Sequence, residues 1–299
     1  MKKINAVCLF LCVTLCASAP ATAQGLFGLD TEVKLTGQLY DNFFQAPDGE
    51  PKESILAFEM GLQLSRELST PRKLRPYLKL GGIVWEKLEN SGLIMAGLNS
   101  SGTSHSFDVS ARYLLDRPSL DVGDHFDTAD ILRFAGVYSY RLSRDIQLNG
   151  AASFQSQSFE DRTTSDNNLW GIGGSVRYRG FGSIFSPEVG FIAGERSADV
   201  ANEDHDQTDL YLKVRCAPNR DLYFSGRLRY RTRDYSVDDA LASNYKREDT
   251  RKQLALIGVY RFSQQLALDV YYTYEDADSS KDSRIFTTQL IFIGLVMAF

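Results

Sequence analysis

The residues best placed to do chemistry are basic and periodic. Lys213 and Arg215, then Arg227, Arg229 and Arg231, alternate with apolar residues on either side of Ala217-Pro218-Asn219-Arg220. Cations at every second position of a strand point to one face. A fold at that turn sets Arg215 opposite Tyr223, Lys213 opposite Ser225, Tyr211 opposite Arg227 and Asp209 opposite Arg229. Like charges are then kept from facing each other directly, which helps the pair form. Arg177, Arg179, Arg112 and Arg261 extend the basic set, and Asp41, Glu59, Asp108, Asp269 and Glu275 are its acidic counterparts. Such a wall has two uses. It lines a water-filled pore and favours anionic solutes, or it is consumed by ion pairs that fill the interior. The selectivity candidates are Lys213, Arg215, Arg227, Arg229, Arg231, Arg177, Arg179 and Asp269.

Other reactive groups are sparse. Of the three histidines, His205 lies between Asp204 and Asp206, His105 between Ser104 and Ser106, and His125 follows Asp124. The Asp–His neighbours at 204–206 resemble the Asp–His pair of the omptin family of barrel proteases, but only one of the two acidic pairs of that family is suggested here. On a strand, neither serine beside His105 shares its face, so a Ser–His dyad is poorly placed. No catalytic residue is assigned. Three acidic runs, Asp121-Val122-Gly123-Asp124, Glu203-Asp204-His205-Asp206 and Glu275-Asp276-Ala277-Asp278, are placed in long loops. They offer carboxylate oxygens to divalent ions that bridge lipopolysaccharide, yet none has calcium-loop spacing, and no metal or cofactor is expected. Cys216 falls on an apolar face near a turn and reads as a small boundary residue rather than a reactive thiol.

Strands must position these residues. Leu132–Phe154 folds at Ser143-Arg144-Asp145, setting Tyr140 opposite Leu148, Tyr138 opposite Gly150 and Phe134 opposite Phe154 on one apolar face. Leu210–Tyr230 forms the basic hairpin, with Leu210, Leu212, Val214, Cys216, Leu222, Phe224, Leu228 and Tyr230 on its apolar side. Leu254–Tyr274 folds at Ser263-Gln264-Gln265 and pairs Phe262 with Leu266, Tyr260 with Leu268 and Leu256 with Tyr272. Further strands are read at Val33–Phe43, Leu56–Leu64, Leu74–Val84, Gly92–Leu98, Phe107–Leu115, Leu169–Tyr178 and Glu188–Gly194, and the last runs through Arg284–Phe299. The total is about fourteen, an even number. Twelve is the alternative, because the Lys87–Ser91 connection is brief. Short turns near residues 71, 101, 144, 182, 218 and 264 alternate with longer polar connections. Tyr and Phe gather toward the ends of the apolar stripes, as in aromatic girdles.

The final stretch, Arg284-Ile-Phe-Thr-Thr-Gln-Leu-Ile-Phe-Ile-Gly-Leu-Val-Met-Ala-Phe299, carries apolar residues at Ile291, Ile293, Leu295, Met297 and Phe299. It is too short to span a bilayer as a helix of ~20 residues and long enough for a membrane strand of ~9–11. An exposed apolar edge aggregates, and closure with the first strand removes it. This strand resembles the last strand of Gram-negative outer-membrane β-barrel proteins, which alternates apolar residues and ends in Phe. That resemblance implies that the barrel-assembly machinery reads Ile291 to Phe299. Tyr260-Arg261-Phe262 and Tyr271-Tyr272-Thr273-Tyr274-Glu275-Asp276 are similar to the last hairpins of β-barrel porins.

The first residues support export. Lys2 and Lys3 precede an apolar core at Ala6–Cys16, and Ala21-Thr22-Ala23 fits a cleavage site, so residues 1–23 read as a secretory signal and 24–299 as one barrel domain. Removing Lys2 and Lys3 from the 33 basic residues leaves 31 against 38 Asp and Glu, a net charge of −7, which argues against nucleic acid as a partner. Cys8, Cys12 and Cys16 leave with the signal, so Cys216 has no disulfide partner. The expected fold is all-β: a single antiparallel transmembrane barrel closed by the strand ending at Phe299, set among outer-membrane lipids and lipopolysaccharide. The expected function is a porin-like channel for small hydrophilic, in particular anionic, solutes, or for polymer export. The alternatives are a structural or adhesion barrel acting through acidic loops, and a hydrolase. The alternation marks no flat patch that would define a trimer.

Overall fold

A computed structural model describes residues 29–43, 45, 52–68, 73–119, 127–160, 166–182, 184–199, 203–235, 247–280 and 284–299. The expected signal segment, the acidic run at 121–124 and His125 lie outside the described residues.

Fourteen strands form a closed antiparallel barrel: β1 Asp30–Asp41, β2 Ile55–Ser65, β3 Leu74–Trp85, β4 Ser91–Ser101, β5 His105–Ser119, β6 Asp127–Arg141, β7 Ile146–Phe159, β8 Asn167–Tyr178, β9 Phe185–Ala198, β10 His205–Cys216, β11 Leu222–Tyr235, β12 Glu248–Arg261, β13 Leu266–Ser279 and β14 Phe286–Ala298. Each strand pairs with its neighbours in sequence, and β1 pairs with β14 to close the ring. Every strand read from the alternation is present, Gly92–Leu98 included as part of β4. Closure leaves no unpaired edge. It is completed at the last residue: Phe299 N–H donates to the Thr31 carbonyl at 2.8 Å, and Thr31 N–H donates back at 3.3 Å.

The apolar residues face outward. Leu210, Leu212, Leu228, Phe134 and Ile293 are all exposed, and Leu35, Gly37 and Leu39 on β1 pair outward with Leu295, Ile293 and Ile291. The first and third hairpins have the expected register, with Phe134 opposite Phe154, Tyr140 opposite Leu148, Tyr260 opposite Leu268 and Leu256 opposite Tyr272. Tyr138, Tyr140, Tyr178, Tyr230, Tyr260 and Tyr274 are exposed on the outer surface near strand ends. Among the described residues no helix is long and apolar enough to cross a membrane, which leaves crossing by strands open.

Both chain ends of the barrel and connections of three to eight residues lie at one rim, the turn end; connections of five to thirteen residues lie at the other, the loop end. Several strands reach further toward the loop end than alternation indicated. Glu275, Asp276, Ala277 and Asp278 belong to β13 rather than to a loop, and His205 opens β10. Strand β5 runs on to Ser119 through an irregularity between Leu114 and Arg117, where Asp116 has a φ of 48°, in the left-handed range like Asn42 at 52°. Asp116 is held there by its N–H to Asp130 Oδ1 at 3.1 Å and by Ser91 Oγ donating to its carbonyl at 2.8 Å. An extra residue in one strand shifts the inward–outward phase. Arg112 faces inward before the bulge and Arg117 after it.

Among the described residues, the buried apolar clusters inside the barrel lie at the loop end. Phe43, Ile55, Ala57, Ile83 and Trp85 form one, flanked by Tyr40 and Leu88, and Ala129 with Phe159 forms a second. Arg117 lies over the Trp85 ring at 5.0 Å and donates to the Tyr40 hydroxyl at 3.4 Å.

Candidate functional site

The interior wall of β8–β12 gathers the expected basic set, in a register two residues away from the one expected. Asp209 stands opposite Arg231, Tyr211 opposite Arg229, Lys213 opposite Arg227 and Arg215 opposite Ser225. The turn is therefore longer than Ala217–Arg220. Asn219 Oδ1 accepts from the N–H groups of Asp221 and Leu222 at 2.9 and 2.8 Å, and Ala217 N–H donates to the Ile184 carbonyl at 2.9 Å, within the β9 side of the sheet. These bonds hold residues 217–221 out of the ladder. As a result Lys213 and Arg227 meet directly, and the expectation that like charges are kept apart is overturned. Arg112 stands opposite Arg133 in the same way on β5 and β6.

Two carboxylates organise the remaining cations. Asp209 is fully buried, accepts from Arg231 Nε at 2.8 Å and is gripped by Arg229. Gln207 adds a bond of 3.3 Å. Glu188, on β9, accepts from Arg177 Nη2 at 2.9 Å and Nε at 3.0 Å, and from Arg215 at 3.2 Å. Its other oxygen accepts from Ser175 at 2.8 Å and Tyr211 at 3.4 Å. Buried charges persist when they are paired and hydrogen-bonded. Arg179 lies just past β8 and reaches Gln147 at 3.4 Å. Asp269, on β13 next to the wall, faces the lumen and is bound to Lys34 on β1 at 2.9 Å. Among the described residues, no ion pair involves Lys213, Arg227, Arg112 or Arg133.

The loop-end half of this wall is a packed network. Arg247 lies over the Tyr235 ring at 3.9 Å and binds Asp249 at 2.5 Å. Burial works against the charge of Arg247, and its hydrogen bonds to Asp249, with Tyr235 and Glu203 nearby, outweigh that effect and raise its pKa above the ordinary arginine value. His205 is buried in the lumen, its Nδ1–H donating to the Glu203 carbonyl at 2.9 Å and its ring 4.8 Å from that of Tyr235. Asp204 instead accepts from the Ala198 N–H at 2.6 Å, and Asp206 is exposed, so the Asp–His neighbours of the sequence point to different sides. His105 faces outward against Tyr138 and Tyr140. No group of three His, Cys, Asp or Glu capable of holding a metal occurs among the described residues.

Beside the basic wall, on β6, β7 and the loop-end part of β8, the lumen is lined by small side chains, Ala135, Ala151, Ser153, Gly171 and Gly173, and Val137 among them remains 44% exposed. A cavity of about 540 Å³ lies in the turn-end half between β1–β5 and β12–β14, lined by Glu32, Lys34, Glu59, Lys79, Arg112 and Asp269. Close backbone approach is needed at Gly190, where an added Cβ would lie 2.5 Å from the Tyr211 ring, and at Gly97, where it would lie 2.3 Å from that of Tyr77. Each tyrosine lies across a glycine on the neighbouring strand, an aromatic cover that pins register.

Sequence reasoning missed Glu188 as an organiser, although it shares the inward phase of Lys213. It also missed Arg117, hidden by the bulge, and the Tyr235–Arg247–Asp249 cluster, which lies between the expected hairpins Leu210–Tyr230 and Leu254–Tyr274. Cys216 faces outward opposite Phe224 at the end of β10, as expected.

No known protein-family profile matches this sequence, and no curated protein matches it. Among solved structures, the chain is similar to the anion-selective porin from Comamonas acidovorans, with 10% identity, 91% of this chain and 99% of that chain covered, and a TM-score of 0.46. It is similar to outer-membrane expressed OmpT of Vibrio cholerae, with 9% identity, 91% and 97% covered, and a TM-score of 0.48. It is also similar to Acinetobacter baumannii OccAB4, with 10% identity, 91% and 98% covered, and a TM-score of 0.46. Identity and score are low in all three, and the reading of this barrel rests on its own strand pairing and faces.

Proposed function

We propose that this protein is an outer-membrane channel through which small hydrophilic solutes pass, with anions favoured. The carrying observation is a segregation of charge. The whole chain has a net charge of −5, yet its lumen holds two directly opposed cation pairs, Lys213–Arg227 and Arg112–Arg133, while Asp209 and Glu188 are each occupied by two arginines. Glu32, Glu59 and Asp269 also face the lumen, in the cavity that Arg112 lines, and Asp269 is taken by Lys34. An apolar outer face and a polar interior suit a bilayer crossing by strands. Fourteen strands exceed the roughly eight whose interior side chains fill, and approach the sixteen to eighteen that leave an aqueous channel. The turn end then faces the periplasm and the loop end the exterior, since periplasmic turns are short. Mechanism here is electrostatics and width: fixed guanidinium and ammonium groups replace part of the hydration of a passing anion.

The test is conductance of the purified, folded barrel in a planar lipid bilayer under a salt gradient. Discrete current steps with an anion-favouring reversal potential are expected. Cation preference would overturn the role of the basic wall, and absence of steps from verified folded barrels would overturn the channel.

A further inference from the structure

We propose that Lys213 and Arg227 form a saturable binding site for oligovalent anions, solutes bearing two or more carboxylate or phosphate groups, in the turn-end third of the lumen. Its use in transport rests on the channel reading; its existence as a site does not.

In the β9–β10 register Glu188 is the direct neighbour of Lys213, and in the β10–β11 register Lys213 is the direct neighbour of Arg227. These three side chains make one lumenal row. A carboxylate offers about four acceptor positions. Those of Glu188 are taken by two bonds from Arg177, one from Arg215, one from Ser175 and one from Tyr211. Nothing remains for the ammonium of Lys213, and no ion pair reaches it among the described residues. The next carboxylate along the wall, Asp209, is likewise taken by Arg229 and Arg231. On its far side Arg227 meets Ala255, a methyl group with no acceptor. Directly opposed like charges destabilise a strand pair. Here that cost is maintained although one carboxylate lies beside the pair.

The same contacts prepare the wall for a ligand. Glu188 immobilises Arg177 and Arg215 beside the pair, and Ser175 and Tyr211 immobilise Glu188. Around this one carboxylate stand four cations, Arg177, Arg215, Lys213 and Arg227, a surplus of three positive charges. A monovalent anion leaves most of that surplus in place. An oligovalent one engages Lys213 as a point charge and Arg227 through its planar fork together. Lys213 lies three residues before the end of β10, so the site is nearer the turn end than the packed network of Tyr235, Arg247 and Asp249.

Calorimetric titration of the folded barrel in neutral detergent at low ionic strength tests this, with citrate and with inorganic pyrophosphate as ligands. Saturable binding is expected, weakened at least tenfold in the Lys213→Ser/Arg227→Ser double variant and unchanged in Lys252→Ser, whose side chain faces outward on β12. Binding of both ligands supports multivalent charge as the recognised feature; binding of one alone supports the site and assigns it to carboxylates or to phosphates. Equal binding by the parent and the double variant, or no saturable binding of either ligand to the parent, would overturn the site. Heat-modifiable mobility on gels verifies that the double variant is folded, and the single variant Lys213→Gln, which keeps the side-chain volume, gives a second readout of the same loss. Because calorimetry needs no current, the site can fail while the channel stands, and the reverse.

Discussion

Lys213 and Arg227 stand directly opposite each other on the lumenal face of β10 and β11, although Glu188 is the next residue across from Lys213 on the other side. Arg227→Glu, whose other cross-strand neighbour is Ala255, converts this repulsion into a cross-strand ion pair with Lys213 and sets no carboxylate opposite Glu188. The expected result is an unfolding midpoint in urea raised by an amount equivalent to up to about 1 kcal/mol, together with a reversal potential shifted toward cations. A reversal potential equal to the parent's would show that this row does not govern the current.

Asp209 binds two arginines from a fully buried position. Removing one partner of a buried ionic group leaves uncompensated charge, at a cost of about 3–5 kcal/mol. Asp209→Ala should therefore lower the urea midpoint strongly, and the fraction that still folds should be more anion-selective, with Arg229 and Arg231 released. Equal stability of parent and variant would mean that the arginines find water without loss.

Gly190 and Tyr211 are cross-strand neighbours, and a Cβ on residue 190 would lie 2.5 Å from the phenol ring. Gly190→Ala displaces that ring and its bond to Glu188, with an expected loss of about 1–3 kcal/mol, the usual range for overpacking. Adding Tyr211→Ala removes the clash with the ring and leaves the one with Ser175 Cβ at 2.6 Å, so the double variant should lose less than the two single variants combined. Strict additivity in the four-variant cycle would count against the contact.

Trp85 packs with Phe43, Ile55, Ala57 and Ile83 inside the loop end, beneath Arg117. Trp85→Ala should cost about 3–5 kcal/mol and raise single-channel conductance by widening that end. A destabilised variant with unchanged conductance would place the narrowest point elsewhere, next at Tyr235 and Arg247.

Phe299 closes the ring by exchanging two backbone hydrogen bonds with Thr31. If the assembly machinery reads this strand, deletion of Phe299 should reduce folded barrel in outer-membrane fractions several-fold while the purified chain still folds into detergent. An equal loss in both settings would make the role purely one of closure.

Strand number, strand faces and turn positions were legible in the residues from Val33 to Phe299. They depend on a side-chain period of two, which the covalent geometry of an extended chain imposes locally. Leu210 and Arg215 fall on opposite faces whatever either strand pairs with. Which inward residues meet was decided only by the tertiary structure. A slip of one residue would have turned every side chain over, whereas the slip of two in the basic hairpin kept both faces intact and left no trace in the alternation. It was set by Ala217 bonding to Ile184 on a third strand and by Asn219 holding the turn open. The inward turn of Arg117 depended likewise on Asp130 and Ser91 stabilising a left-handed Asp116. Alternation therefore determined that cations line the lumen, while contacts between strands distant in sequence decided that Glu188 and Asp209 take four of them and leave Lys213 and Arg227 facing each other.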